Sequence, residues 1–359
     1  MNRNNLFLSL IVLLSMAIGY LFGAKDIVGT KKALSTRSSV KKLDRLISYL
    51  SEDYVDKINS DSLVREIIED IVDELDPHSI YIPAVQKQDL AESMQGNFHG
   101  IGVSFFMVED SIAVVRVLEG GPSQKAGLKS GDRILIANQD TLYQKGFTST
   151  EVVSKLNRKS EIPLKLSVYR KKTDSIYEFN IVRGPVPLPS VSSSYMINEK
   201  TGYVKINRFS QTTYEEFSSS LKSLVNQDLE NLIIDLRGNP GGYLLPAKQI
   251  VDDFLSAGEP IVIVEGNNGS RQKTVASASG LFETGSLYVL VDENSASASE
   301  VIAGAIQDND RGTVIGRRSI GKGLVQEQLK MTDGSAIRLT TQRYYTPSGE
   351  SIQGKGISP

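Results

Sequence analysis

The spacing of apolar positions changes several times along this chain, and each change marks a part of the molecule. Residues 6–24 form an uncharged run rich in Leu, Ile, Val, Phe and Met, about the 20 residues needed to span a bilayer. A polar stretch follows over residues 25–37. Val40, Leu43, Ile47, Leu50 and Tyr54 then recur at helical spacing, as do Leu63, Ile67, Ile68, Ile71, Val72 and Leu75. Apolar residues three and four apart share one helix face, so two amphipathic helices are predicted, ending at Asp76-Pro77. From Asn97 to Arg183 short β-like runs alternate with turns. Residues 103–107, 112–117, 133–137 and 164–169 read as strands, with a helix around Val152, Val153 and Leu156. Pro185-Val-Pro-Leu-Pro189 reads as a stiff connector, because proline fixes φ and lacks a donor. Beyond it, strands at 202–206, 232–236, 261–265, 287–292 and 313–315 are interspersed with helices at 214–225, 244–255 and 299–307. Residues 324–329 and 336–342 read as a hairpin across Asp333-Gly334. The expected class is a multidomain α+β chain whose last part is a layered α/β core.

Composition narrows the chemistry. A chain of 359 residues has room for two or three domains. Its net charge of −2 carries no basic excess, and no aromatic-basic interleaving suggests nucleic acid as a partner. The absence of cysteine removes thiol catalysis, disulfides and cysteine zinc sites together. The two histidines, His78 and His99, each fall in a turn far from any other catalytic signal, and both read as hydrogen-bonded turn residues. The apolar run at 6–24 reads as an uncleaved membrane anchor rather than a cleaved secretory signal. Gly19-Tyr-Leu-Phe-Gly-Ala24 places bulky residues where signal cleavage requires small ones. Either reading puts the body of the protein across the membrane. The two amphipathic helices offer faces for pairing between chains, giving a homo-oligomer, or for packing on their own core.

The remaining chemistry lies in two segments. Residues 294–300 read Asn-Ser-Ala-Ser-Ala-Ser-Glu, between a buried strand and a helix. Ser297 falls just before the helix N-terminus, where unpaired N–H groups point at whatever binds. Ser295, Ser297 and Ser299 also suit plain N-capping. Gly321-Lys-Gly323 supplies a lysine that burial would favour in its neutral, basic form. Ser297 and Lys322 are too far apart for the single-helix S-x-x-K arrangement. Gly316 to Gly323 nearly matches a P-loop, but Gly323 lacks the hydroxyl that holds magnesium, and a hairpin follows where a helix is needed. The glycines flanking Lys322 are expected to let the backbone pass close to Ser297. A glycine turn, Gly238-Asn-Pro-Gly-Gly242, also follows the carboxyl end of a strand, where ligands bind in open α/β sheets. The two turns are expected to converge on one cleft.

These strings resemble, in order, the motifs of the carboxyl-terminal processing (tail-specific) proteases. Those are serine peptidases with a Ser-Lys dyad and an embedded PDZ domain. The resemblance is carried by Leu75-Asp-Pro-His-Ser-Ile-Tyr81, Phe98-His-Gly-Ile-Gly-Val103, Asp235-Leu-Arg-Gly-Asn-Pro-Gly-Gly242, Ser295-Ala-Ser-Ala-Ser-Glu300, and Ile320-Gly-Lys-Gly323 with Gln326. It implies a membrane anchor or signal segment at 1–24 and a linker with N-terminal helices at 25–95. A PDZ domain follows at 96–184, and a crotonase-like protease core at 185–359. It implies Ser297 as nucleophile, Lys322 as general base and Gln326 holding the lysine. Gly241, with Gly242 the less favoured alternative, and Ala298 would supply the oxyanion hole. Gly100, Ile101, Gly102 and Val103 would capture the carboxylate of a protein or peptide C-terminal tail. No cofactor or metal is implied. The body would be extracytoplasmic, periplasmic or at the cell surface, with the membrane engaged through residues 6–24. The rival function is a non-catalytic tail-binding or ligand-binding protein with a protease-like core. In this family the segment at Gln353–Pro359 usually continues further.

Overall fold

The computed structural model describes residues 40–359 apart from residues 85, 88–91, 93, 157–161 and 278–279. It divides into two compact units, one ending at Leu75 and one beginning at Asp76. In the first, residues 40–52 and Ser60–Asp73 are helical, at the predicted places. Asn59 caps the second helix, its side-chain oxygen accepting from Asp61 N and Ser62 N. Such a cap satisfies N–H groups that the first helical turn leaves unpaired. Among the described residues no helix is long and apolar enough to cross a membrane. The apolar run at 6–24 lies outside them.

The second unit holds two apolar cores. The smaller is built on an antiparallel sheet in the order Val103–Val108, Ser111–Val117, Asp132–Ala137, Leu164–Arg170, Ser175–Ile181. Ile112, Ile134, Leu164 and Leu166 are fully buried in it, and Val152 and Leu156 of the helix Ser149–Leu156 join them. Val103–Val108 lies at the edge of this sheet, paired on one side only. The proline segment differs from the expectation. Gly184–Pro187 is a short strand, antiparallel to Asn97–Gly100. Proline lacks a ladder donor but is tolerated on an edge, and a two-stranded ribbon is all edge. The chain thus enters and leaves the small domain side by side.

The larger core is layered. Thr201–Ile206, Asn231–Asp235, Ser286–Val291 and Thr313–Gly316 form a parallel sheet in that order, with Val191–Met196 antiparallel at one edge. Their inward residues (Val204, Ile206, Leu232, Ile234, Val289) are fully buried. The helices Thr213–Val225 and Ala298–Asp308 pack on it, Leu244–Asp252 packs against both helices, and Leu244–Asp252 and Ala298–Asp308 also meet Pro260–Gly266 of a second, antiparallel sheet. That sheet runs Ile80–Ile82, Ala336–Tyr345, Pro260–Gly266, Arg271–Val275, with Leu324–Lys330 completing the predicted hairpin against Ala336–Tyr345. Ile80–Ile82 had no strand signal, yet it adds to this sheet at Ala336–Arg338. Parallel neighbours bring the turns after Asn231–Asp235 and Ser286–Val291 to the same end of the sheet, as the sequence predicts.

Candidate active site

Two turns at that shared end are stitched together by side chains. Asp292 Oδ1 accepts from Gly238 N at 2.8 Å and from Asn294 N at 3.0 Å. Ser295 Oγ donates to the carbonyl of Leu236, and Ser299 Oγ to that of Asn239. Both hydroxyls are fully buried, while Ser297 keeps 8% of its surface exposed. The three alternating serines therefore divide: two tie the Ser297 turn to the glycine turn, and of the three Ser297 alone lines the cleft.

Ser297 sits at φ +55°, ψ −111°, at the N-cap of the helix Ala298–Asp308. A non-glycine residue there carries strain of order 1–3 kcal/mol and persists only where its surroundings fix it. The fixing group is Glu300, fully buried three residues on. Its Oε2 accepts from Ser297 N at 2.7 Å and from Lys322 N at 2.8 Å. Its Oε1 accepts from Ser319 Oγ and Gly321 N, both at 2.6 Å. One oxygen atom thus receives the amides of both Ser297 and Lys322. Residues distant in sequence are clamped together through their backbones. Glu300 was not singled out from the sequence, although Ser297-x-x-Glu300 is the signature of a capping box.

Lys322 is partly buried and lines the same cleft of about 810 Å³. Burial, and then the neighbouring charge of Arg338, push its pKa below the usual lysine value; Asp76 and Glu300 pull the other way. Burial would push the Asp76 carboxyl up, but hydrogen bonds from Ser79, His78 and Thr340 hold it below the usual carboxylate value. The His78 amide serves this turn, donating to Asp76 Oδ1 at 2.8 Å. Among the described residues no hydrogen bond or ion pair reaches Lys322 Nζ. Gln326 lines the cleft too, but its Nε2 donates to the Leu324 carbonyl at 3.3 Å rather than contacting the lysine. The glycines beside Lys322 have a different reason from the one expected. A Cβ on Gly321 would lie 2.9 Å from Gly356 N, and one on Gly323 would lie 2.4 Å from Gln353 N. They admit the segment 352–356, not Ser297.

Gly241 does pack against Ser297. A Cβ there would stand 2.7 Å from Ala296 O, 2.8 Å from Ser297 Cβ and 3.1 Å from Ala298 N. Its N–H donates to Asn239 Oδ1 at 2.9 Å in this conformation, and Asn239 Nδ2 is held by the Ile206 carbonyl. Ala298 N opens the helix beside it. Asp235 anchors the start of the turn, accepting from Tyr203 Oη, Lys205 Nζ and Arg237. Against the effect of burial, these donors hold its carboxyl far below the usual range.

In the small domain, Gly100, Ile101, Gly102 and Val103 form the turn into the edge strand. Gly102 adopts φ +77°, and the carbonyls of Ile101 and Gly102 accept from Ser123 N and Leu118 N. Ile101, Val103 and Phe105 share an apolar cluster with Val152 and Leu156.

Comparison with known proteins agrees with this arrangement. Residues 100–181 match the PDZ domain family, and residues 200–359 match Peptidase family S41. The chain is 32% identical over 334 residues to carboxy-terminal processing protease CtpB of Bacillus subtilis, covering 92% of this chain and 69% of that one. It is 32% identical over 363 residues to CtpA of the same organism, covering 99% and 77%. Among solved structures, the photosystem II D1 C-terminal processing protease superposes with a TM-score of 0.53 at 25% identity, covering 87% of this chain and 84% of that one. A putative S41 protease from Bacteroides fragilis superposes with a TM-score of 0.54 at 16% identity, covering 87% and 88%, which speaks to the fold alone. With a PDZ domain ahead of an S41 core and such relatives along nearly its whole length, this chain belongs to the carboxy-terminal processing proteases, serine peptidases of family S41.

Proposed function

We propose that Ser297 is the nucleophile of this peptidase and Lys322 its general base. The observation that carries the assignment is the shared Glu300 oxygen, which sets both residues on one cleft. Neutral Lys322 Nζ takes the Ser297 Oγ proton as Oγ attacks the scissile carbonyl carbon. The lysine returns that proton to the leaving amine as the peptide C–N bond breaks. Water, deprotonated by the same lysine, then attacks the acyl ester, and the lysine returns that proton to Ser297 Oγ as the ester C–O bond breaks. The oxyanion is held by the amides of Ala298 and Gly241, each donor contributing about 2.7–4 kcal/mol in comparable enzymes. Gly241 N–H must share or exchange its Asn239 partner to do so. Gln326 holds the lysine in place once its side chain exchanges the Leu324 carbonyl for Lys322.

The PDZ domain takes the substrate's C-terminal tail. The tail adds a strand along Val103–Val108, and its carboxylate meets the amides of residues 100–103. What supports this is the one-sided pairing of that edge strand. Tail binding shifts a resting state toward an active one. Residues 6–24 anchor the chain, with the catalytic body extracytoplasmic.

The test is cleavage of an unfolded protein with an apolar C-terminal tail by the full chain, Ser297→Ala and Lys322→Ala. Cleavage by the unmodified chain alone is expected. Equal cleavage by all three would refute the dyad. Deleting residues 97–183 should abolish the preference for tailed over untailed substrate; an unchanged preference would remove the PDZ domain from recognition.

A further inference from the structure

The cleft that holds Ser297 contains more positive charge than its chemistry needs. Among the described residues its charged lining is Arg208, Lys322 and Arg338, all cations, in a chain of net charge −2. Lys322 has a use. For the two arginines the described residues offer none: no hydrogen bond or ion pair among them reaches either guanidinium. Both are partly buried, and burial pushes both pKas down. Among the described residues the other partly buried or buried arginines are supplied with acceptors. Arg170 forks onto Asp132 at 2.7 Å. Arg311 caps the carbonyls of Phe254, Gly285 and Phe282. Arg183 donates to the Leu156 and Ile162 carbonyls.

Among the described residues, the carboxylates whose charge reaches these cations are already engaged. Glu216, whose charge reaches Arg208, accepts from Ser190 N, Val191 N and Thr212 Oγ1. Asp76 and Glu300, whose charges reach Lys322, each accept four hydrogen bonds elsewhere. The two arginines also come from different walls. Arg208 precedes Phe209, whose backbone pairs with Gly241 and Tyr243. Arg338 lies on Ala336–Tyr345, opposite Gln328 of the strand that follows Lys322.

We propose that this cleft reads a carboxylate on the substrate, held by Arg208 and Arg338. Its source is an acidic side chain near the scissile bond or the terminal carboxylate of a short tail. The inference rests on the peptidase site described above and names what that site selects. A guanidinium fork matches a carboxylate in geometry, and charge-assisted pairs are the strong ones. The site is partly shielded from water, so the pairing gains strength there. A neutral substrate would leave two half-desolvated cations without acceptors, a cost the acidic substrate avoids.

The test uses the full chain and four peptides that share a cleavable core. One pair carries Glu beside the cut and the other Gln, each with a free or an amidated C-terminus. We expect kcat/KM to favour the carboxylate by at least about tenfold. Sensitivity to Glu→Gln would assign the side chain, and sensitivity to amidation the terminus. In Arg208→Gln and Arg338→Gln the ratio of acidic to neutral peptide should fall toward one. Arg338→Lys, with charge but no fork, should recover part of it. Equal cleavage of all four peptides would overturn the proposal and leave the peptidase assignment standing. If none is cut, the dyad assignment is in question, and fluorescence anisotropy of the same peptides on Ser297→Ala decides this one. Tighter binding of the carboxylate peptides upholds it, and equal affinity overturns it.

Discussion

Removing the Glu300 carboxylate should separate the position of the catalytic groups from their presence. Four donors converge on its two oxygens: the amides of Ser297, Gly321 and Lys322, and Ser319 Oγ. Glu300→Ala leaves three buried or partly buried amides without an acceptor and opens a void beneath the nucleophile. An unsatisfied buried donor costs about 1–3 kcal/mol. Three such amides come to about 3–9 kcal/mol, a large share of the roughly 5–15 kcal/mol that holds a domain folded. Glu300→Gln is milder. Its amide nitrogen can face Ser319, whose hydroxyl can turn to accept, so that the oxygen stays on the Ser297 and Lys322 amides. Only the Gly321 amide then loses its partner, at about 1–3 kcal/mol.

The expected order of melting temperatures is therefore wild type, Glu300→Gln, Glu300→Ala. Activity should fall further than stability. Displacing a reacting group by about 1 Å costs roughly a hundredfold in rate, and the tether lost in Glu300→Gln belongs to the lysine loop. We expect kcat to fall roughly tenfold to a hundredfold while KM for a tailed substrate holds, with Glu300→Asp recovering part of the loss. The assays are thermal unfolding and steady-state cleavage, the latter run below each variant's melting point. Glu300→Ala with wild-type stability and kcat would refute the reasoning outright. A rise in KM at constant kcat would show that the carboxylate shapes substrate binding instead.

Three further outcomes follow from the geometry. kcat/KM should rise with pH as Lys322 loses its proton, with a midpoint below the usual lysine value because of burial and Arg338; in Arg338→Gln that midpoint should move up, and a pH profile that stays put or moves down would contradict this. Gly241→Ala forces a Cβ to within 2.7 Å of Ala296 O and 2.8 Å of Ser297 Cβ at φ +95°, so kcat should drop by roughly a hundredfold or more, and near-normal turnover would mean that the turn has room the packing denies. Buried Asp253 has a carboxyl pushed up to about 6, chiefly by burial, from 3.8, so the folded state holds its proton between these values while the unfolded state has lost it. That stability is complete below the lower value and is lost as pH rises through the upper, so the unfolding free energy of Asp253→Asn relative to wild type should grow by about 2–3 kcal/mol from pH 4 to pH 7; a pH-independent difference in denaturant melts would refute it.

The parts of the fold that could be read in the sequence are those whose cause is local. The parallel strands are short apolar runs, and Ser286–Val291 and Asn231–Asp235 fall within a residue of their predicted places. The strands that gave no signal have weak or exposed patterns: Arg271–Val275 is almost wholly exposed, and Ile80–Ile82 is only three residues long. They are strands because a neighbour offers an edge, which no window of sequence records. The same division runs through the site. Ser297 could be located because a serine between an apolar strand and a helix is a local pattern. Its three-residue partner Glu300 was within reach as a capping box.

What Glu300 does beyond that cap was not legible, because its other donors come from Ser319, Gly321 and Lys322. The glycines beside Lys322 make the point most sharply. Sequence says that such a pair admits a close approach, and it does not say by what. Here the approaching backbone is the segment 352–356, whose Gln353 Oε1 accepts from Gly323 N at 2.9 Å and whose Gly354 N donates to Gly321 O. The Lys322 loop is therefore held from two sides, by a carboxylate of the helix that follows Ser297 and by a chain segment that contributes no group to the cleft. Any change in residues 352–357 should reach the active site through the lysine loop, even though none of them lines the cleft.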